Sequence, residues 1–255
     1  MQDLTKDQYT ELKSQGCLTI NNFFSVDQIG KFKNISNLIL NNFQNDDFLS
    51  NCNGRNENKN ETYSSLSASN KMIISDRRNN KIDNGMIDIF NPHLANLKTY
   101  DINNNLDEFM KKIDECIVSK INKFSNSKKI SLRNTNLYQH YKTTRPRPAH
   151  FDNLDTYYKV FLYLTDVNTS NGAFFYYPKS HKFKLRKKII SFVNHNFFNL
   201  KNGRDTDINF LYSNKLKLNL TGKIGTLVIC DVAGFHGSNA FVGDFKREVL
   251  VQCIR

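Results

Sequence analysis

The chain has 255 residues, a formal net charge of +12, five cysteines and no tryptophan. That length can bury a sizeable core, and all-β barrels of this size often form one unit. Cys17, Cys52, Cys116, Cys230 and Cys253 are odd in number, far apart and free of any Cys-x-x-Cys pair, which argues against a disulfide framework or a zinc-thiolate site and for a reducing, cytoplasmic setting. Residues 1–16 are polar and charged, unlike a signal peptide. No apolar run approaches the roughly 20 residues of a membrane span.

In chain order, Leu4 to Ser14 predicts a short helix that Gly16 is placed to end. Cys17 to Asn21 alternates as a strand does. Ser25 followed by Gln28 matches a capping box, and the helix behind it carries Ile29, Phe32, Ile35, Leu38 and Ile39 at helical spacing. From Asn45 to about Asn84 the chain is polar and predicts a long surface excursion. Helical spacing returns from Leu106 to Phe124. The strand candidates follow: Asn136 to Lys142, Tyr157 to Thr165, Ala173 to Tyr177 after an Asn171-Gly172 turn, Ile224 to Cys230, and Glu248 to Ile254. This order predicts an antiparallel, mainly β fold with flanking helices. A single domain would span 1–255, helical over about 1–125 and β over about 130–255.

His150-Phe151-Asp152 is the first chemical element. In extended backbone, residues i and i+2 share a face, so His150 and Asp152 can offer an imidazole nitrogen and a carboxylate oxygen to one metal. A second histidine would complete a two-histidine, one-carboxylate facial triad with open positions opposite. His236 fits that part, at the end of an apolar strand and flanked by Gly234 and Gly237, which allow close approach of backbone and cosubstrate. Arg247 lies 247 − 236 = 11 residues later, beyond a Gly243-Asp244 turn. A hairpin pairing His236 with Arg247 would put both on one face, with Gly234 opposite Val249 and Val232 opposite Val251. A guanidinium there suits a dicarboxylate.

Taken together the chain resembles the phytanoyl-CoA dioxygenase family of iron(II)- and 2-oxoglutarate-dependent oxygenases. The similar segments are residues 16–29, 162–172, Tyr177-Pro-Lys-Ser-His-Lys182 with Lys179 at a position usually Gly, Gly225-Thr-Leu-Val228, and His236-Gly-Ser238. The resemblance implies a double-stranded β-helix core, jelly-roll and cupin-like. It implies iron(II) on His150, Asp152 and His236, with 2-oxoglutarate and O2 as cosubstrates. Arg247 would pair with the far carboxylate of 2-oxoglutarate, Ser238 would donate to that carboxylate, and Tyr138 would face it. Phe161 would line the pocket or belong to the core. His181 falls in a structural segment of the family, and His93, His140 and His195 have no partner at ligand spacing.

The implied reaction converts 2-oxoglutarate to succinate and CO2 and oxidises a substrate C–H bond, with hydroxylation the default. Asp152 argues against a halogenase. The basic run Lys179, Lys182, Lys184, Arg186, Lys187 and Lys188, with Arg145 and Arg147, reads as an attractor for an anionic small molecule or as a solvated basic face. Two competing readings are a non-catalytic jelly-roll binding protein and a nucleic-acid oxygenase. The intact ligand set counts against the first, and the lack of a nucleic-acid module counts against the second. Oligomeric state is not legible.

Overall fold

The structure is a computed structural model that describes residues 3–42, 55–56, 72–76, 85–92, 102–126, 129–141, 147–152, 157–183, 185, 187–189, 192, 196, 216–243 and 246–255. Helix α1 (Lys6–Gln15) starts on a Thr5 capping box and ends on Gly16 at φ +86°, the left-handed position that favours glycine. Strand β1 (Cys17–Ile20) leads to α2 (Val26–Asn42). As expected, Ser25 and Gln28 exchange capping bonds there, Gln28 N–H donating to Ser25 Oγ at 3.4 Å and Ser25 N–H to Gln28 Oε1 at 3.1 Å.

The surface excursion is corrected where it is described. Short strands β2 (Arg55–Asn56) and β3 (Ile73–Asp76) lie within it, and Met72, Ile73 and Ile74 are buried. Strand β4 (Gly85–Phe90) follows. Then come α3 (Ile102–Ile113), a wide π-turn (Asp114–Val118) and α4 (Ser119–Phe124). The remaining strands are β5 (Leu132–Tyr141), β6 (Arg147–His150), β7 (Tyr158–Tyr163), β8 (Phe174–Tyr176), β9 (Leu218–Leu220), β10 (Leu227–Asp231), β11 (His236–Ser238) and β12 (Lys246–Ile254).

These strands form two sheets, as a jelly-roll core requires. The larger has the order β1-β10-β7-β12-β5-β4-β3-β2 and the smaller β6-β11-β8-β9. Side chains alternate between the two faces of each strand. The outward residues of the large sheet, among them Leu162, Ile229, Leu250, Leu137 and Ile89, pack with Phe32, Phe109 and Ile117 of the helices. The inward residues, among them Phe161, Val228, Val249 and Val251, form a second cluster between the sheets. Covered on both faces, β12 is buried from Arg247 to Ile254. Each Ile or Phe so buried contributes about 1.5–3 kcal/mol.

The predicted hairpin does not form. β11 pairs with β6 and β8 in the small sheet, whereas β12 pairs with β5 and β7 in the large one. His236 is the strand partner of His150 and Tyr176, and Arg247 of His140. Val249 and Val251 therefore pair with Tyr138 and Asn136, not with Gly234 and Val232.

Candidate metal and cosubstrate site

The small sheet brings His150, Asp152 and His236 together. β6 and β11 are antiparallel with His150 directly opposite His236, and their ring centroids lie 4.4 Å apart. Asp152 follows β6, its backbone N–H donating to Val232 O at 2.9 Å. One ligand atom from each residue lies within 4.8 Å of the others. Asp152 Oδ1 is 3.4 Å from His150 Nε2, and Oδ2 is 3.7 Å from His236 Nε2. Neighbouring ligands on a first-row metal, with bonds of about 2.1 Å, sit about 3 Å apart.

The imidazoles are set for this. His150 Nδ1 is 2.9 Å from Pro148 O, and His236 Nδ1 is 2.9 Å from Gly234 O. A carbonyl only accepts, so each Nδ1 carries its proton and each Nε2 presents a lone pair to the cluster. His150 Nε2 is buried with no hydrogen-bond partner. Burial pushes His236 down to about 4, neighbouring His150 adding to the effect and Asp152 opposing it, so the ring is neutral at physiological pH. Burial alone would raise Asp152, but the Lys159 ammonium and the two neighbouring histidines outweigh it and hold the carboxyl well below its usual range. Lys159, inward on β7, donates to Asp152 Oδ2 at 2.6 Å. The donor set, two neutral nitrogens and one carboxylate, fits a divalent iron with open positions.

Close packing holds the small sheet to this geometry. A Cβ on Gly237 would meet the backbone carbonyls of Arg147 and Pro148 and the Phe175 ring, and one on Gly234 would meet the Tyr176 hydroxyl. The close approach of backbone expected at these glycines is seen at Gly237, against the main chain of β6, while Gly234 makes room for the Tyr176 side chain. Tyr176 Oη donates to Asp231 O at 2.9 Å, and Phe235 N–H donates to Ser180 Oγ at 2.8 Å, which ties down the turn before His236. Lys179 stands at φ +67°, the left-handed backbone that accounts for the usual glycine there.

Of the remaining predicted site residues, Arg247 is 8% exposed on β12, its guanidinium 5.7 Å above the Phe241 ring. Burial lowers its pKa to about 10, Tyr163 opposing, which leaves it charged. Its Nε is buried without a partner. Ser238 shares the His236 face of β11, and its hydroxyl accepts from Arg147 N–H at 3.4 Å. Tyr138, inward on β5, accepts from Asn136 Nδ2 at 2.9 Å and stacks on His140 at 6.0 Å. Phe161 lies on Phe174 at 4.7 Å, and Phe174 stacks on His236 at 5.1 Å, so it belongs to the inner core beside the cluster. His181 Nε2 meets Lys13 O at 3.1 Å, away from the triad.

The sequence reading missed three residues. Lys159 and Phe174 touch the triad, and His140 bonds Arg247. Alternation within β7 could have flagged Lys159, a charge on the same face as Phe161. Lys187 leaves the basic face: it is fully buried, donating to His181 O at 3.2 Å and to Ala233 O. His93, His195, Lys184, Arg186 and Arg145 lie outside the described residues. Cys17, Cys116, Cys230 and Cys253 are free and buried. Among the described residues no helix is long and apolar enough to cross a membrane.

A family model described as phytanoyl-CoA dioxygenase matches residues 12–249. A search of curated protein sequences gives no match. Among solved structures, HygX from Streptomyces hygroscopicus with nickel and 2-oxoglutarate bound is similar at 14% identity and TM-score 0.59, over 98% of this chain and 87% of that one. It has also been solved with hygromycin B. The non-haem α-ketoglutarate-dependent epimerase SnoN from nogalamycin biosynthesis is 10% identical with TM-score 0.58, over 98% and 79%, and a complex with Fe3+, α-ketoglutarate and nogalamycin RO is known. AviO1 from Streptomyces viridochromogenes Tue57 is 13% identical with TM-score 0.59, over 100% and 96%. At these identities the likeness is one of fold.

Proposed function

Because the chain belongs to the phytanoyl-CoA dioxygenase family and is an iron(II)- and 2-oxoglutarate-dependent enzyme, we propose that it hydroxylates a C–H bond of a small-molecule substrate through His150, Asp152, His236 and Arg247. The observation that carries this is the tautomer setting of the triad, two buried Nε2 lone pairs and one ionised carboxylate turned on a common point. His150, Asp152 and His236 are the metal ligands in this reading. Iron(II) held there, with 2-oxoglutarate and O2, supplies the oxidising power, while the protein supplies orientation and a dry wall.

Arg247 is assigned to the far carboxylate of 2-oxoglutarate, where its unpartnered Nε gives a buried charged donor its acceptor. Ser238 is assigned a hydroxyl bond to the same group, and Tyr138 a place on the wall beside it. Phe174 and Phe161 keep water from the His236 side. Lys159 holds one oxygen of Asp152 and so orients the carboxylate. The small-molecule class draws on the hygromycin B and nogalamycin RO complexes of HygX and SnoN. An anionic group on the substrate is the reading that a net charge of +12 favours, and free buried cysteines favour a cytoplasmic setting.

The test is to titrate anaerobic protein with iron(II) and then 2-oxoglutarate, following the visible charge-transfer band of the chelate. The band is expected in the parent and absent in His236→Ala. Folded parent protein that gives no band overturns the assignment. Once a substrate is found, a product that gains no oxygen atom would replace hydroxylation by another outcome of C–H cleavage.

A further inference from the structure

Arg247 stands directly across from His140 in the β12–β5 register, and its Nη2 donates to His140 Nδ1 at 2.6 Å. His140 Nε2 lies 3.2 Å from Asp88 Oδ1, on β4 one strand further along the same inner face. A guanidinium only donates, so Nδ1 must offer a lone pair. An ionised carboxylate only accepts, so Nε2 must carry the hydrogen. The two contacts together fix His140 as the neutral Nε2–H tautomer between an acid and a base. Asp88 is 2% exposed.

Burying a guanidinium calls for a counter-charge. A carboxylate bonded straight to Arg247 would supply one, but it would also occupy the donors that a ligand carboxylate needs. Placing a neutral imidazole between the two keeps the negative charge one residue away. It also leaves Nε without a protein partner. Phe241 lies against the face of the guanidinium at 5.7 Å and restricts it from a third direction.

Resting on the reading of Arg247 as the cosubstrate arginine, we propose that Asp88 and His140 are positioning residues. They hold Arg247 charged and aimed, and so set the affinity for the distal carboxylate of 2-oxoglutarate. They touch neither the metal nor the reacting carbon. Their influence therefore falls on binding of the dicarboxylate and spares binding of a 2-oxo acid that lacks the second carboxylate.

The experiment titrates anaerobic, iron(II)-loaded protein with 2-oxoglutarate and, separately, with 2-oxovalerate, which has the same chelating head and no distal carboxylate. The chelate band reads both affinities. His140→Leu and Asp88→Asn should each weaken 2-oxoglutarate about tenfold, as loss of an outer partner commonly does, and leave 2-oxovalerate unchanged. His140→Asn, whose amide oxygen can accept near the Nδ1 position, should recover part of the loss. In turnover the same variants should raise the KM for 2-oxoglutarate more than they lower kcat. Arg247→Ala is the control: if it binds 2-oxoglutarate like the parent, the cosubstrate reading of Arg247 falls. If Arg247→Ala is weakened but His140→Leu and Asp88→Asn are not, the positioning role is overturned. Equal losses for both acids would make the role merely structural and overturn it too. The near-isosteric Asp88→Asn carries the test if His140→Leu does not fold.

Discussion

In the four-stranded sheet, the residues that carry chemistry sit on strands of three and four residues, β11 and β6. Their aim comes from main chain: each imidazole is held by the carbonyl two residues before it. In the eight-stranded sheet, Asp88, His140 and Arg247 sit inside strands of six, ten and nine residues. Their aim comes from side chains bonded to one another across three strands. Groups aimed by backbone tolerate changes in neighbouring side chains and suffer when strand spacing changes. Groups aimed by side chains behave the other way.

The comparison can be broken most severely at Asp152, the triad member that follows β6 of the small sheet yet is held from the large one, by Lys159 Nζ on β7 and by Val232 O just after β10. Asp152→Ala should abolish iron-dependent turnover and weaken iron(II) by more than the roughly 10–100-fold typical of an outer-partner change. Metal binding followed by calorimetry checks this, and parent-like affinity would remove Asp152 from the ligand set. The next largest effect tests backbone spacing. Gly237→Ala drives a methyl against two carbonyls of β6, so it should cost about 1–3 kcal/mol of stability and also weaken iron(II). Thermal melts with and without metal measure both, and an unchanged iron affinity would show that the small sheet absorbs the strain.

The smallest effect sharpens the contrast from the apolar end of the large sheet's inner face. Burial there pushes the Cys17 thiol up to about 12. Unfolded, it would titrate near 9. Its contribution to stability is therefore complete below about pH 9 and lost as the pH rises through about 12. The alkaline limb of a stability profile should be shallower in Cys17→Ala, and native protein at pH 8 should leave this thiol unmodified by a maleimide. Rapid labelling would mean that this end of the sheet opens.

Legibility in the sequence followed the range of each interaction. His150 and Asp152 are two residues apart and could be read as a pair, and Gly16 marked the end of α1. Glu248 to Ile254 could be read as a strand because Val249, Leu250, Val251 and Ile254 make it β-branched and apolar. The partner of that strand was misjudged, since an offset of eleven positions from His236 to Arg247 suits a hairpin as well as a crossing from one sheet to the other. β5 gave a weak signal for a physical reason: its inward positions Asn134, Asn136, Tyr138 and His140 are polar, so alternation does not separate core from solvent. His140 looked idle because its partners, Asp88 and Arg247, lie 52 and 107 residues away. The strands in the polar stretch were hidden by their brevity, with two residues in β2 and four in β3.

The carbonyl locks on His150 and His236 bear on which ion is taken up. Both rings are held by main-chain carbonyls and not by the ion alone, which limits the rearrangement that loading demands, and nitrogen and carboxylate donors of this kind attract nickel, copper and zinc at least as strongly as iron(II). Discrimination then falls to the supply of metals where the protein folds. A preparation grown without added iron should carry a mixture of divalent ions in proportion to their abundance and intrinsic affinity.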